Sequence, residues 1–177
     1  MNFDARILVF WAANLLLMLL TMLVNSRLTP YSLYLILLGP ALILPALYLK
    51  SPSLIFLCFI TGLSVDALLP KPYWLFVYGF PLIGLLIQSI RSHFRTETSY
   101  RFMLLTHIAN LACIALISVS QAIYCSQSFD SLILLIPIIL LSHLLLHVVA
   151  PWFFSFERLL LELLSMEHAD QDTFLKP

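Results

Sequence analysis

Six apolar runs take up most of this 177-residue chain. Each approaches the roughly 20 residues that a helix, rising about 1.5 Å per residue, needs to cross the hydrocarbon layer of a bilayer. They cover residues 7–24, 31–49, 53–69, 73–90, 102–124 and 132–156. Membrane barrel strands alternate polar with apolar residues, and these runs do not. The expected fold is therefore all-α, a polytopic bundle of six transmembrane helices. Composition agrees: 62% of residues are hydrophobic and 10% charged, against about 25% charged in a soluble domain. The first run follows Asp4 and Arg6, as a signal sequence would, but ends in Asn25-Ser26-Arg27 without a small-residue cleavage pattern. It is predicted to be an uncleaved span.

Loop charge predicts the orientation. With the N-terminus in the cytoplasm and strict alternation, Arg6, Lys50, Arg91, Arg95, Arg101, Arg158 and Lys176 fall inside, and Arg27 and Lys71 outside. Lys and Arg are retained on the cytoplasmic side. Both termini are thus expected there. Residues 1–156 form the predicted transmembrane domain and 157–177 a cytoplasmic tail. In the tail, Leu159, Leu160, Leu163 and Leu164 share a helical side largely opposite Glu157, Arg158 and Glu162, which predicts an amphipathic segment on the membrane surface or against a partner. Glu167, Asp170 and Asp172 make its end acidic. Arg91, Arg95 and Arg101 form a basic loop, suited to setting topology or to meeting anionic lipid heads. Net charge is zero, so nothing points to nucleic acid. Three cysteines without paired spacing give no disulfide framework and no metal knuckle.

Polar residues within the runs are the candidate functional positions. Asp66 is the acidic residue set well inside a run, about one turn from the outer end of the third. It reads as a proton or cation site, a partner contact, or a cap near the headgroups. On the fifth run His107, Asn110, Ser118 and Gln121 fall within about 80° at 100° per residue. That stripe should face the bundle interior, for interhelical hydrogen bonds or for a solute path. His143 and His147 share a face of the sixth run. A zinc hydrolase would place Glu beside the first histidine, where this chain has Leu144, so hydrogen-bonded buried histidines are expected, without metal or haem. Gly39-Pro40, Pro45, Pro81 and Pro137 predict kinks, or a broken helix lining a solute site. No Gly-x-Ser-x-Gly elbow, phosphate-binding glycine loop or carboxylate cluster is present, so neither enzymatic activity nor a cofactor is expected.

Phe59-Ile60-Thr61-Gly62-Leu63-Ser64-Val65-Asp66-Ala67-Leu68-Leu69 resembles the Gly-Leu-x-x-Asp segment of the MreD family of bacterial rod-shape-determining membrane proteins. Chain length and the basic loop after the fourth run fit as well. The family usually carries glycine-rich residues soon after the Asp, where this chain has Pro70-Lys71-Pro72-Tyr73-Trp74. The resemblance implies a non-enzymatic scaffold of the cell-elongation and peptidoglycan-synthesis machinery in the bacterial inner membrane. It implies an MreC-like partner and, through that partner, MreB, RodA and a class B penicillin-binding protein. Gly62 and Asp66 are the positions it carries over, as helix-packing or partner-contact residues. The family's bundle is also similar to the substrate-binding subunits of energy-coupling-factor vitamin transporters, which supplies an alternative: a small-solute binding subunit.

Overall fold

The structure is a computed structural model. It describes residues 6–31, 33–68, 74–90, 99–125 and 129–163, with the side chains of 99 and 120–134 outside the description. Among the described residues every regular element is helical: α1 (Arg6–Leu28), a 3-10 turn (Thr29–Tyr31), α2 (Pro40–Tyr48), α3 (Ser51–Leu68), α4 (Leu75–Ile90), α5 (Ser99–Cys125) and α6 (Phe129–Leu163). Four of these, α1, α3, α5 and α6, are long and apolar enough to cross a membrane, and α4 is a shorter apolar helix. Their outward residues are large and apolar, including Leu19, Leu23, Phe59, Leu82, Ile108 and Leu144. A lipid-facing surface needs that character.

Of the two expectations for the second run, a kinked span and a broken helix, the structure shows a break: residues 33–38 form no regular element, and a helix of only 9 residues follows. Chemistry places the break. Pro40 sits in the first turn of α2, where its missing N–H costs nothing, and Gly39 precedes it with its carbonyl accepting from the Leu42 amide at 3.1 Å. A Cβ on Gly39 would stand 2.5 Å from the Thr106 carbonyl and 2.8 Å from the Asn110 Cβ. The glycine lets the chain turn hard against α5.

α3 and α4 form the tightest pair. Gly62 lies directly against the Phe76 backbone, so no side chain fits between the helices at that level. The two are held at their open end by Gln88 of α4, whose Oε1 accepts from the Ser51 hydroxyl of α3 at 2.8 Å while its Nε2 donates to the Leu49 carbonyl, at the end of α2, at 2.8 Å. The main core packs Phe10, Leu42, Ile43, Leu54, Leu57, Phe76 and Phe80 between α1, α2, α3 and α4. A second cluster joins Ala13 and Leu17 of α1 to Ala41 and Phe153. Short α2 therefore sits inside the bundle rather than on its rim, with Ile43 and Ala46 fully buried.

α6 runs unbroken through the boundary expected at residue 157. Glu157 does not face water there as the amphipathic reading required. It is 0% exposed, whereas Leu159 and Leu163 face outward. The wheel assigned charge to solvent, and Arg158 and Glu162 are exposed as expected, but Glu157 lies on the stripe of the core residues Phe153 and Leu161 and is turned inward. The expected charges at Lys71, Arg91, Arg95, Glu167, Asp170, Asp172 and Lys176 lie outside the described residues, as does Leu164.

Candidate functional site

Non-helical backbone inside a bundle exposes amide groups that no helix satisfies, and in a membrane it persists only where protein supplies the partners. Here three side chains supply them. Asn25 of α1 behaves like a neighbouring strand: its Oδ1 accepts from the Leu35 amide at 2.6 Å while its Nδ2 donates to the Leu35 carbonyl at 2.9 Å. Asn110 of α5 accepts from the amides of Leu38 and Gly39 at 3.0 and 3.1 Å, and donates to the Ile36 carbonyl at 2.8 Å. Ser142 of α6 accepts from the Ile36 amide at 3.0 Å. Three helices are thus tied to one irregular segment.

That segment walls a cavity of about 490 Å³ between α1, the end of α3, α5 and α6. Its lining is mainly apolar, with Met18, Leu35, Leu38, Val65 and Ile117, and carries few polar groups, among them Thr21, Asn25 and Ser118. The size lies within the ordinary range for small-ligand sites, about 300–1,000 Å³. Such a lining can take an apolar molecule and offer it a hydroxyl or amide, but no charge.

The predicted α5 stripe divides by role. Asn110 is fully buried and clamps the irregular segment. Ser118 lines the cavity and donates to its own helix at Ile114. His107 turns to α6, with Nδ1 2.7 Å from Nδ1 of His143 and Nε2 2.7 Å from Nδ1 of His147. The rings of His107 and His143 stack with centroids 5.0 Å apart. His143 is half-buried and His147 exposed, so the pair is less enclosed than expected. Among the described residues no group of three or more His, Cys, Asp or Glu side chains is placed to hold a metal ion. Gln121 falls outside the described side chains.

Gly62 and Asp66 meet the same turn of α4 from within the chain. Asp66 is 1% exposed, and its Oδ2 accepts from the amides of Phe76 and Val77 at 3.0 Å each. A carboxylate bonded to first-turn amides satisfies donors the helix leaves open and opposes its dipole. Its second oxygen, Oδ1, is buried without a partner. Just before this turn Trp74 has φ of 56°, a left-handed conformation that a bulky residue adopts rarely. The position of Asp66 relative to α4 makes it a cap delivered by the preceding helix.

Several residues gave no signal in the sequence. Asn14 and Ser142 sit inside apolar runs without spacing that marks a pair, and Asn25 and Glu157 lie just past the ends of runs, where a turn and a tail were expected. Isolation itself was the available clue, because an unpartnered amide in a span is expensive.

The chain matches no family model, no curated protein and no solved structure.

Proposed function

We propose that this chain is a non-enzymatic scaffold subunit of the bacterial cell-elongation machinery, seated in the inner membrane and binding an MreC-like membrane protein. Through that partner it would connect to MreB, RodA and a class B penicillin-binding protein. The observation that carries the reading is a row on α6. Ile136, Leu140, Leu144, Val148 and Trp152 recur every fourth residue, and each is more than half exposed. Only 17% of the most apolar stretch of α6 is buried within the chain, against 39% for α1 and α3. A continuous row at that spacing is the ridge by which one helix packs into the groove of another. The resemblance of the Gly62–Asp66 segment supplies the identity of the partner. α3 offers less as a docking face than its small residues promised, since Gly62 and Asp66 are already taken up by α4.

The topology belongs to the same proposal: six crossings with both termini cytoplasmic. Irregular backbone at membrane depth is tolerated where protein satisfies it, so the break before α2 is compatible with the second run as a crossing.

The cavity favours a second reading, a small-solute binding subunit of a transporter. One experiment separates the two. A photo-crosslinking residue is placed at Leu144 and, as a comparison, at Ile55 of α3, and the captured proteins are identified in native membranes. The scaffold reading expects an MreC-like protein captured at Leu144, and loss of rod shape when the row is disrupted. A captured ATPase module, with solute uptake lost and cell shape kept, would make it wrong.

A further inference from the structure

The three histidines of the α5–α6 seam are joined in series, and the count of their protons limits what they can do. Four ring nitrogens are used: Nδ1 of His143 with Nδ1 of His107, and Nε2 of His107 with Nδ1 of His147. Each contact needs one hydrogen. A neutral imidazole carries one N–H and one bare nitrogen. If His107 holds its hydrogen on Nε2, it donates to His147 and must accept from His143. His147 then carries its hydrogen on the outer Nε2, and the outer Nε2 of His143 is bare. If His107 holds its hydrogen on Nδ1, every assignment reverses. The neutral triad therefore has two arrangements, each with a bare nitrogen at one end and an N–H at the other.

Adding one proton at the bare end leaves both contacts satisfied and gives an N–H at each end. Adding a second forces two hydrogens into one N···N contact and breaks it. The His107 nitrogens point away from each other across their own ring, so the three residues share no common point for a metal.

The geometry points to a proton-binding site in which His143, His107 and His147 together hold one excess proton. A proton arriving at one outer Nε2 releases the one at the other. The charges that bear on these rings are their own: His143 and His147 act on His107, and His147 acts on His143. Charged or titratable side chains on the helices packed against the seam are Arg6 and Arg27 of α1, Tyr48 of α2 and Tyr78 of α4. On α5 and α6 themselves the described ones are Tyr100, Arg101, Cys113, Glu157, Arg158 and Glu162. None contributes to the electrostatics of His107 or His143. A shared-proton site differs from three independent imidazoles in capacity, which makes it measurable. It stands apart from the scaffold reading and holds equally for a solute-binding subunit.

The test uses the full chain in lipid nanodiscs, labelled with heavy-nitrogen histidine, with His93 and His168 replaced by Gln. Between about pH 8 and pH 5, the range in which free imidazole titrates, the triad should take up one proton rather than three. Couplings between nitrogens across both N–H···N contacts should persist in the one-proton state. His107→Phe removes the link, so His143 and His147 should each take a proton and the couplings should vanish. Independent uptake of three protons by the linked triad would overturn the proposal. So would stoichiometric zinc bound by the purified protein and lost in His107→Phe.

Discussion

Asn14 of α1 donates through Nδ2 to the carbonyl of Ala41 at 3.2 Å, and that carbonyl is the one Pro45 leaves bare. In a helix the amide of residue 45 would bond to the oxygen of residue 41, but proline has no N–H to give. A side chain from another helix makes good the deficit, as buried backbone in a membrane requires.

Replacing Asn14 with Leu should therefore destabilise the bundle by about 1–3 kcal/mol, the usual cost of a buried group left unsatisfied. Restoring the amide offers a check on the cause. In Pro45→Ala the Ala41 carbonyl gains its helical partner, and the penalty for Asn14→Leu should shrink by about 1 kcal/mol. Unfolding titrations in mixed micelles measure all four variants of the cycle. Equal penalties in both backgrounds would detach Asn14 from the proline.

Asn110 holds two amides and a carbonyl of the irregular segment and its end at Gly39. Asn110→Leu strips all three and should cost more than Asn14→Leu. Ser142→Ala removes one contact and should cost about 1 kcal/mol. Hydrogen exchange at the amides of Ile36, Leu38 and Gly39 reports the loss locally. Unchanged exchange there in Asn110→Leu would show that the segment finds other partners.

The helices were legible in the sequence because mean hydropathy alone bounds them, and α1, α3, α4, α5 and α6 fall where the apolar runs do. The break in the second run was not. Leu35, Leu37 and Leu42 are equally apolar whether extended or helical, so composition cannot tell the two apart. Gly39-Pro40 and Pro45 marked the place but not the outcome, which depends on Asn110 reaching back across 71 positions to Gly39. His107 was placed on an inward stripe with Asn110. Its pairing with both His143 and His147 follows from the register between α5 and α6, which no periodicity within one helix contains. Glu157 was assigned to water on a helical wheel, and only the tertiary contact reverses it.

Asp66 caps α4 through one oxygen, so the acceptor matters more than the charge. Asp66→Asn keeps an oxygen in place and should fold and insert. Asp66→Ala leaves the amides of Phe76 and Val77 unbonded and should lose about 0.5–2 kcal/mol, as other cap removals do. Gly62→Leu should be more damaging than either, because the added side chain meets backbone rather than a yielding side chain. Thermal unfolding in detergent, with exchange at residues 76 and 77, ranks the three. A Gly62→Leu variant as stable as the native chain would mean that α3 and α4 are not packed this closely.

Orientation is tested by fusing a reporter that works only in the periplasm to the C-terminus, and separately within the turn between α1 and α2. The proposed topology puts seven of the nine Lys and Arg residues inside, in keeping with their retention on the cytoplasmic side. Activity is expected at the turn and not at the C-terminus. The reverse pattern would contradict the topology.

Glu157 provides the last test. Both of its carboxylate oxygens are buried without a hydrogen-bond partner among the described residues, between the core residues Phe153 and Leu161 one turn to either side. Desolvating such a group is costly, and replacing a buried ionisable residue by an apolar one of similar volume is often stabilising, by about 1–4 kcal/mol. Glu157→Met should accordingly raise the resistance of the bundle to unfolding. Glu157→Gln keeps the shape and stays polar, so it should fall between the native chain and Glu157→Met. Lower stability of the isolated Glu157→Met protein would show that the carboxyl already serves the bundle itself.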